Sequence, residues 1–291
     1  MLAAIAHAPG PAHTITIDDV PEPQDLTQGE VVVRMLASTF NPSDAIAISG
    51  TYASRTSFPM VPGFEGVGTI ERIGPGVPTT ALGQRVLPIG SGGAWQQLKR
   101  TEYSWCIPVP GHLSTEAACF AYINSLTAYL MVERFCGDAT AVLIDGAATT
   151  IAGHLKELLE QRGITTVMVG RDWEAVDVEK LKVDVVFDCV GGATGRAMAQ
   201  ALKPGGRLVH YGLLSGEPLG DVPVDVSMFR LRNVVHAYPR ERLPELFTGV
   251  FEQLRAGHLR TQVATGVELR ELPDALRMHQ PRAGKLLIRH F

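Results

Sequence analysis

The stretch ATAVLIDGAATTIAGHLKELLEQRGITTVMVGRD, residues 139–172, decides the expected fold. It begins with a short apolar run, AVLID, which is typical of a strand buried in a parallel sheet. A turn of small residues follows, and residues 151–163 have the pattern of an amphipathic helix with Gly163 as its stop. A second apolar run, TTVMVG, comes next. The stretch therefore predicts a β-α-β unit.

Strands and helices continue to alternate after this unit, which indicates a parallel sheet. Further strands are predicted at residues 184–192, 207–212 and 233–238, and the last of these, NVVHAY, is expected to be an apolar edge strand. Only thirteen residues, 170–182, separate the second strand of the unit from the next one. This length holds one crossover but not a helix, a strand and a helix. The sheet is therefore expected to lack its outermost strand unit.

The first hundred residues have a different pattern. Apolar or alternating runs between Gly and Pro predict strands at residues 31–36, 66–74, 85–90 and 95–100. A helix is predicted from Ser114, and the final AGKLLIRHF predicts one more strand. The chain thus combines a β-rich part with an α/β part.

Composition narrows the class of protein. The chain has 291 residues, of which 45% are hydrophobic, so it has room for two cores. A net charge of -4 does not favour nucleic acid as a partner. The most apolar stretch, ACFAYINSLTAYLMV, is interrupted by polar residues, and no membrane span is predicted. Four scattered cysteines and a start without a basic region predict a reduced, cytoplasmic protein without a signal peptide.

The turn at residues 146–153, GAATTIAG, is a candidate phosphate-binding loop. Free N–H groups and the positive end of a helix attract phosphates at such a turn. Gly146 stands where a tight turn is expected, while Thr149, Thr150 and Ile151 open the helix. The turn does not match G-x-G-x-x-G, so on its own it also fits a β-α-β unit of an unrelated α/β protein.

Arg171 follows the second strand of the unit. In a dinucleotide-binding fold, an acidic residue at this edge favours NAD and an arginine accommodates the 2′-phosphate of NADP. Arg171 therefore favours NADPH as the cofactor, although Asp172 is adjacent. The alternative is a solvated arginine at a strand end.

The order of several motifs resembles the medium-chain dehydrogenase/reductase superfamily. These motifs are PMVPGFEGVGTIERIGPGV (59–77), LGQRVLP, SLTAYL, DVVFDCVGG, LKPGGRLVHYG and GKLLI. The resemblance implies an α/β fold with a Rossmann-type parallel sheet and a β-rich GroES-like catalytic domain. It assigns residues 1–118 with 266–291 to the GroES-like domain and residues 119–265 to the dinucleotide-binding domain.

The same resemblance bears on metal. Zinc alcohol dehydrogenases of the superfamily have a cysteine ligand and a histidine ligand at the positions that are Asn41 and Phe64 here. An amide and a phenyl ring do not replace a thiolate and an imidazole around zinc. The chain therefore resembles the zinc-independent members, and no metal site is predicted.

NPSDAIAISGTY, residues 41–52, resembles the active-site segment of trans-2-enoyl thioester reductases, and quinone oxidoreductases often share it. The resemblance makes Tyr52 the candidate proton donor. It gives Asn41 a role toward the nicotinamide ribose or a substrate oxygen. Asp44 is expected to be a structural carboxylate that accepts backbone N–H groups.

Other candidate cofactor contacts also come from the resemblance. Thr127 of SLTAYL is expected beside the nicotinamide, together with three residues in the loops after the later strands, namely Val190, Gly212 and Leu213. A homodimer is expected, because superfamily members commonly pair the edge strands of their nucleotide domains.

Three functions fit these residues. The first is NADPH-dependent hydride addition to an activated carbon–carbon double bond of a 2-enoyl thioester or an enone. The second is NADPH:quinone oxidoreduction, which needs no positioned acid. The third is a non-enzymatic NADPH-binding protein. The substrate is expected to be a small molecule in each enzymatic case, and the sequence does not distinguish coenzyme A, a carrier protein or a free enone as its carrier.

Overall fold

The computed structural model describes residues 1–51, 56–278 and 284–290. The chain divides into two compact units. The first contains residues 1–123 and 235–291, and the second contains residues 124–234.

The secondary structure elements follow one another along the chain in this order: β1 (Leu2–Ile5), β2 (Thr16–Asp19), β3 (Glu30–Thr39), α1 (Pro42–Ile48), β4 (Gly66–Ile73), β5 (Arg85–Pro88), β6 (Leu98–Glu102), β7 (Cys106–Pro108), α2 (Thr115–Cys119), α3 (Ile123–Phe135), β8 (Ala141–Ile144), α4 (Thr150–Gln161), β9 (Thr165–Met168), β10 (Val183–Asp188), α5 (Gly192–Ala199), β11 (Leu202–His210), β12 (Asp225–Met228), α6 (Leu231–Ala237), α7 (Thr248–Arg255), β13 (Val263–Glu268), α8 (Leu272–Met278) and β14 (Lys285–Arg289).

The second unit is built on a parallel sheet. Among the described residues its five strands have the order β12-β11-β10-β8-β9, and every neighbouring pair is parallel. Apolar side chains on these strands, among them Leu143, Val186 and Leu208, belong to the core of the unit. The predicted β-α-β unit is confirmed as β8, α4 and β9, with the pairing Val142↔Thr166. This is the Rossmann-type sheet that the sequence predicts.

The outer strand unit is absent from this described sheet, as predicted. β9 is an edge strand. The segment that follows it forms two short 3₁₀ turns, Trp173–Ala175 and Val178–Lys180, before β10 begins. Trp173 and Val178 pack against the core, so this short segment contributes side chains to the core in place of a further strand and helix.

The predicted strand at residues 233–238 is wrong. The segment lies in α6, and Leu231, Val234 and Val235 have the i, i+3, i+4 spacing of one helix face, with Val235 fully buried. The edge of the sheet opposite β9 is instead β12, Asp225–Met228, which pairs with β11. The edge strand on this side of the described sheet is therefore β12, not residues 233–238.

The first unit contains a larger, mostly antiparallel sheet. In the described ranges its order is β13-β14-β3-β4-β5-β7, with β6 on the other side of part of β3. The C-terminal β14 pairs with β3 through Leu287↔Thr39 and Ile288↔Ser38, so the end of the chain completes the sheet begun near residue 30. Its core includes Val31, Ile70 and Trp95, and this is the β-rich domain expected from the sequence.

The division into units differs from the predicted boundary at residue 266. Residues 235–265 pack with the first unit through aromatic contacts. The ring centroids of Trp105 and His236 are 4.7 Å apart, and the Arg240 guanidinium lies 3.1 Å from the centroid of the Trp105 ring. These stacked groups attach the segment after α6 to the β-rich unit.

Candidate cofactor and active site

The turn between β8 and α4 is the predicted phosphate-binding loop. Gly146 has a φ of +60°, and a Cβ there would lie 2.6 Å from the sulfur of Cys189. This position therefore requires glycine. Thr149 is the N-cap of α4, since its hydroxyl accepts a hydrogen bond from the Ala152 N–H at 3.2 Å.

The N–H groups of Thr150 and Ile151 occupy the first turn of α4. Residues in this turn have no acceptor inside the helix. Within the described ranges, no other acceptor bonds to either N–H. The helix has 12 residues, so its N-terminal end carries a developed positive dipole. Two open N–H groups at such an end suit a phosphate oxygen.

The loops after β10 and β11 lie at the same end of the sheet. A Cβ on Gly212 would be 2.8 Å from the carbonyl oxygen of Cys189, so these two loops touch backbone to backbone. Val190 follows Cys189 directly, and Leu213 leaves 46% of its surface exposed. The predicted cofactor residues of both loops thus gather beside Gly146, beyond the carboxyl ends of parallel strands, where such folds bind ligands.

Three titratable side chains lie at the carboxyl ends of strands at this edge of the sheet. Asp145 follows β8, Asp188 ends β10 and His210 ends β11. The Nδ1 atom of His210 lies 2.5 Å from one oxygen of Asp188. The other oxygen of Asp188 accepts the N–H groups of Val190 at 3.1 Å and Gly191 at 2.8 Å.

The pKa values of Asp145 and Asp188 are shifted in opposite directions. Burial raises the pKa of Asp145, and the hydrogen bond and negative charge of Asp188 raise it further. Burial opposes ionisation of Asp188 as well, but the hydrogen bonds from His210, Asp145 and Gly191 outweigh it and hold the pKa of Asp188 below its usual value. Asp188 is therefore the more acidic group of the pair, and Asp145 holds a proton more strongly.

Thr127 and Arg171 lie elsewhere in the second unit. Thr127 is on α3 with 7% of its surface exposed. Arg171 is exposed just beyond β9, and no described acidic side chain forms an ion pair with it. The Val169 carbonyl at this strand end accepts the Ala147 N–H at 3.1 Å, which links the region of Arg171 to the candidate phosphate loop.

In the first unit, Asp44 organises the start of α1. One oxygen of its carboxylate accepts the Asn41 N–H at 2.7 Å, and the other accepts the Phe64 N–H at 3.0 Å. The predicted structural role of Asp44 is confirmed. Burial raises the pKa of Asp44 to about 7, while these two N–H groups and Lys285 oppose that shift.

The side chain of Asn41 is the centre of a buried polar network. Its Nδ2 donates to Glu65 Oε2 at 2.8 Å, and its Oδ1 accepts a hydrogen bond from the Lys285 ammonium. The other Glu65 oxygen accepts the Ile123 N–H at 2.7 Å and the Tyr122 N–H at 3.2 Å. Burial raises the pKa of Glu65 and lowers that of Lys285, although their opposite charges counteract both shifts.

This network constrains the predicted role of Asn41. With 1% of its surface exposed, the residue is buried, and both ends of its amide are bonded to charged side chains. Contact of Asn41 with cofactor or substrate stays a prediction. Tyr52 lies outside the described residues, so its predicted role also stays a prediction. The described chain before it ends at Thr51, three residues beyond α1.

Several polar residues of these sites were not predicted as functional. Lys285 and Glu65 surround Asn41, and Asp145, Asp188 and His210 surround the cofactor loops. A signal was present in some cases, since a charged residue borders an apolar run: Lys285 precedes LLI, and Asp188 follows VVF. Such residues are seldom buried without partners, but their partners are distant in sequence.

Two family models match the chain. The "Alcohol dehydrogenase GroES-like domain" model matches residues 27–134, and the "Zinc-binding dehydrogenase" model matches residues 144–288. The mitochondrial enoyl-[acyl-carrier-protein] reductase of Caenorhabditis elegans is 30% identical over 246 residues, which are 75% of this chain and 69% of that protein. The chain belongs to the medium-chain dehydrogenase/reductase superfamily. This confirms the family to which the motif order pointed.

Other superfamily relatives are similar over parts of their length. The mitochondrial enoyl-[acyl-carrier-protein] reductase of Arabidopsis thaliana is 29% identical over 68% of this chain and 61% of that protein. The synaptic vesicle membrane protein VAT-1 homolog of Danio rerio is 25% identical over 90% of this chain and 64% of that protein. The chain thus spans less than two thirds of these two relatives.

Solved structures of the superfamily share the fold. The quinone oxidoreductase of Escherichia coli complexed with NADPH superposes with a TM-score of 0.86 at 21% identity, over 100% of both chains. 2-Haloacrylate reductase gives a TM-score of 0.83 at 21% identity, over 100% of this chain and 99% of the other. At identities this low, the two superpositions establish the shared fold alone.

The described residues contain neither a candidate membrane span nor a candidate metal site. No helix there combines the length and apolarity needed to cross a membrane. No group of three or more His, Cys, Asp or Glu side chains there is arranged to hold a metal ion.

The buried network predicts a coupled effect on stability. Glu65→Gln and Lys285→Met should each destabilise the protein by about 3–5 kcal/mol, because each leaves the other charge buried without its partner. The double variant should lose at least about 1 kcal/mol less than the sum of the two. Urea unfolding of the four proteins measures this coupling.

The exposed pair Lys156 and Glu160 on α4 is the matched control. The cycle Lys156→Met with Glu160→Gln should show a coupling of only about 0.3–0.5 kcal/mol. Strict additivity of the Glu65 and Lys285 variants would show that the two buried charges do not stabilise each other.

Proposed function

We propose that the protein is an NADPH-dependent reductase that adds hydride to a carbon–carbon double bond conjugated to a carbonyl. The turn at Gly146 gives the main support, because a required glycine and the open N–H groups of Thr150 and Ile151 at the edge of a Rossmann-type sheet suit a phosphate. The superfamily membership and the enoyl reductases among its relatives support the same reaction class.

The second unit is proposed to bind the cofactor. The N-terminal end of α4 would hold the pyrophosphate, and Arg171 would attract the 2′-phosphate. The loops that carry Val190, Gly212 and Leu213 would border the nicotinamide, as would Thr127. The short segment after β9 would leave the adenine side open. NADPH, which is present in the similar Escherichia coli structure, supplies a hydride when bound.

The proposed role of the chain in catalysis is proton and charge control. Hydride addition at the β-carbon of an enoyl group moves negative charge onto the carbonyl oxygen, which hydrogen bonds stabilise. The α-carbon then needs a proton, and a tyrosine with a pKa near 10 is protonated at neutral pH. We assign this proton to Tyr52. Asp44 and the network around Asn41 would fix the start of α1, the helix that precedes Tyr52.

A substrate panel tests the proposed reaction. Oxidation of NADPH should be fast with crotonyl thioesters or enones and should yield the saturated product. Turnover of quinones alone would assign the protein to NADPH:quinone oxidoreductases instead. NADPH binding without turnover of any member of the panel would leave a non-enzymatic NADPH-binding protein.

Tyr52→Phe removes a hydroxyl and keeps the ring. Enoyl reduction should fall by about two to four powers of ten, the usual contribution of a positioned general acid. The affinity for NADPH and the thermal midpoint should change little. Tyr238→Phe, a tyrosine outside the motif, is the control and should keep full activity. An unchanged rate for Tyr52→Phe would refute the assignment of the proton donor.

Arg171→Ala should separate the two nicotinamide cofactors. Loss of the guanidinium should weaken NADPH at least tenfold and leave NADH binding nearly unchanged, since a bond to a charged group contributes roughly 1.5–3 kcal/mol. Isothermal titration of both cofactors measures this. Arg232→Ala removes another exposed arginine of the same unit and should affect neither cofactor. Equal weakening of NADPH and NADH by Arg171→Ala would show that the residue does not recognise the phosphate.

We also propose a homodimer formed through the edge strand β12. Met228 on this strand leaves 58% of its surface exposed, and an uncovered strand edge invites pairing. Light scattering at micromolar concentration should give twice the mass of one chain. Met228→Glu should lower the measured mass toward that of a single chain. Met278→Glu, at a methionine that is 73% exposed on α8, should not. A wild-type monomer would contradict the proposal.

A further inference from the structure

The carboxyl ends of β8, β10 and β11 carry a connected set of polar side chains. Asp145, Asp188 and His210 stand at these ends, and each directly precedes one of the loops proposed to contact the cofactor. Asp188 and His210 are nearly inaccessible, with side-chain exposures of 0% and 8%. We propose that His210 is a positioning residue, which acts through Asp188 to hold the nicotinamide-side loops in their binding shape. The inference rests on the proposed cofactor role of this unit.

Asp188 determines the path of the loop after β10. Its Oδ1 accepts two successive N–H groups, those of Val190 and Gly191. Gly191 has a φ of +72°, and a Cβ there would lie 2.7 Å from the Glu217 carbonyl oxygen. The loop thus depends on a left-handed glycine and a close backbone approach, and the carboxylate keeps this turn closed.

His210 keeps that carboxylate ionised and in place. A buried carboxylate needs several donors to offset its desolvation. Oδ2 of Asp188 has His210 Nδ1 at 2.5 Å, so this nitrogen carries the proton in a charge-assisted bond. Without it, Asp188 would lose its side-chain donor and would compete with Asp145 for a proton. The hydrogen bonds from the Val190 and Gly191 N–H groups to Asp188 would then weaken.

The same interaction reaches the loop after β11. Tyr211, next to His210, donates its N–H to the Asp188 carbonyl at 2.9 Å. Leu214 donates its N–H to the Cys189 carbonyl at 2.9 Å. Loosening of Asp188 and His210 would therefore disturb both loops proposed to border the nicotinamide. Thr149, Thr150 and Ile151 take no part in these contacts. The link to the phosphate turn is the Asp145 carboxyl, whose bond to the Cys189 N–H at 2.8 Å does not involve His210, so the phosphate site should remain intact.

This asymmetry gives the test. His210→Leu removes the donor at similar volume, while His210→Asn places an amide N–H where Nδ1 stood. Isothermal titration would use two probes, NADPH and adenosine 2′,5′-bisphosphate, which lacks the nicotinamide half. His210→Leu should weaken NADPH roughly tenfold, which corresponds to about 1.4 kcal/mol, and should leave the bisphosphate within twofold. His210→Asn should restore most of the NADPH affinity.

A structural effect without positioning would appear differently. Equal weakening of both probes, or no weakening of either, would overturn the inference. His290→Leu, at a buried histidine of the first unit, controls for general destabilisation. If His210→Leu does not fold, His210→Gln replaces it, since its amide cannot reach the Nδ1 position, and it should bind NADPH more weakly than His210→Asn.

Amide exchange gives a readout that needs no cofactor. The Val190 and Gly191 amides should exchange faster in His210→Leu than in His210→Asn, and unchanged exchange would again overturn the inference. A wild-type protein that binds neither probe would overturn the proposed function instead, so the two failures are distinguishable.

Discussion

The ionised carboxylate of Asp188 is the constraint on which the cofactor edge of the parallel sheet depends. It sits at the last residue of β10, at the centre of the sheet, and its bonds to His210 and to two loop N–H groups join β10, β11 and their loops. Three partners stabilise a charge in this place, namely His210 and the N–H groups of Val190 and Gly191, and the raised pKa of the neighbouring Asp145 favours the neutral form of that acid. Removing one donor would therefore affect more than a single bond.

The first unit uses the same physical solution. Asp44 and Glu65 are fully buried carboxylates that accept backbone N–H groups, and Lys285 supplies the opposite charge through the Asn41 amide. Zinc dehydrogenases of the superfamily have a cysteine and a histidine at the positions that are Asn41 and Phe64 in this chain. Here the Asn41 position is filled by a hydrogen-bonded network with one cation. The network holds Asn41 at the start of α1, the helix that precedes Tyr52. Substitution of Lys285 on β14 is therefore expected to destabilise the start of α1.

Local patterns predicted much of this architecture. The β-α-β unit at residues 139–172 was readable because its apolar runs, small-residue turn and helical period all agree. The missing outer strand followed from the length of residues 170–182. The NVVHAY segment was mistaken for a strand because a short apolar run fits a strand and a helix equally well. The true edge strand, DVSM at residues 225–228, is too short and polar to stand out.

The sites were predicted less completely, for a reason of distance along the chain. Gly146, Thr150 and Val190 could be proposed as candidates because local motifs place them after strands. The partners of Asn41 could not, since Lys285 lies 244 residues away and Glu65 24 residues away. His210 and Asp188 are 22 residues apart and meet only because β11 and β10 are neighbours in the sheet. Pairings of this kind appear only once the topology is known.

The proposed reaction delivers a hydride to the β-carbon of an enoyl group while the chain supplies a proton to the α-carbon. The most direct measurement is a single turnover of NADPH deuterated at the transferable C4 position with a crotonyl thioester in ordinary water, with the product analysed by NMR. The proposed enoyl reduction should place one deuterium at the β-carbon and a solvent-derived proton at the α-carbon. An unchanged thioester, or deuterium found at the carbonyl carbon, would contradict it.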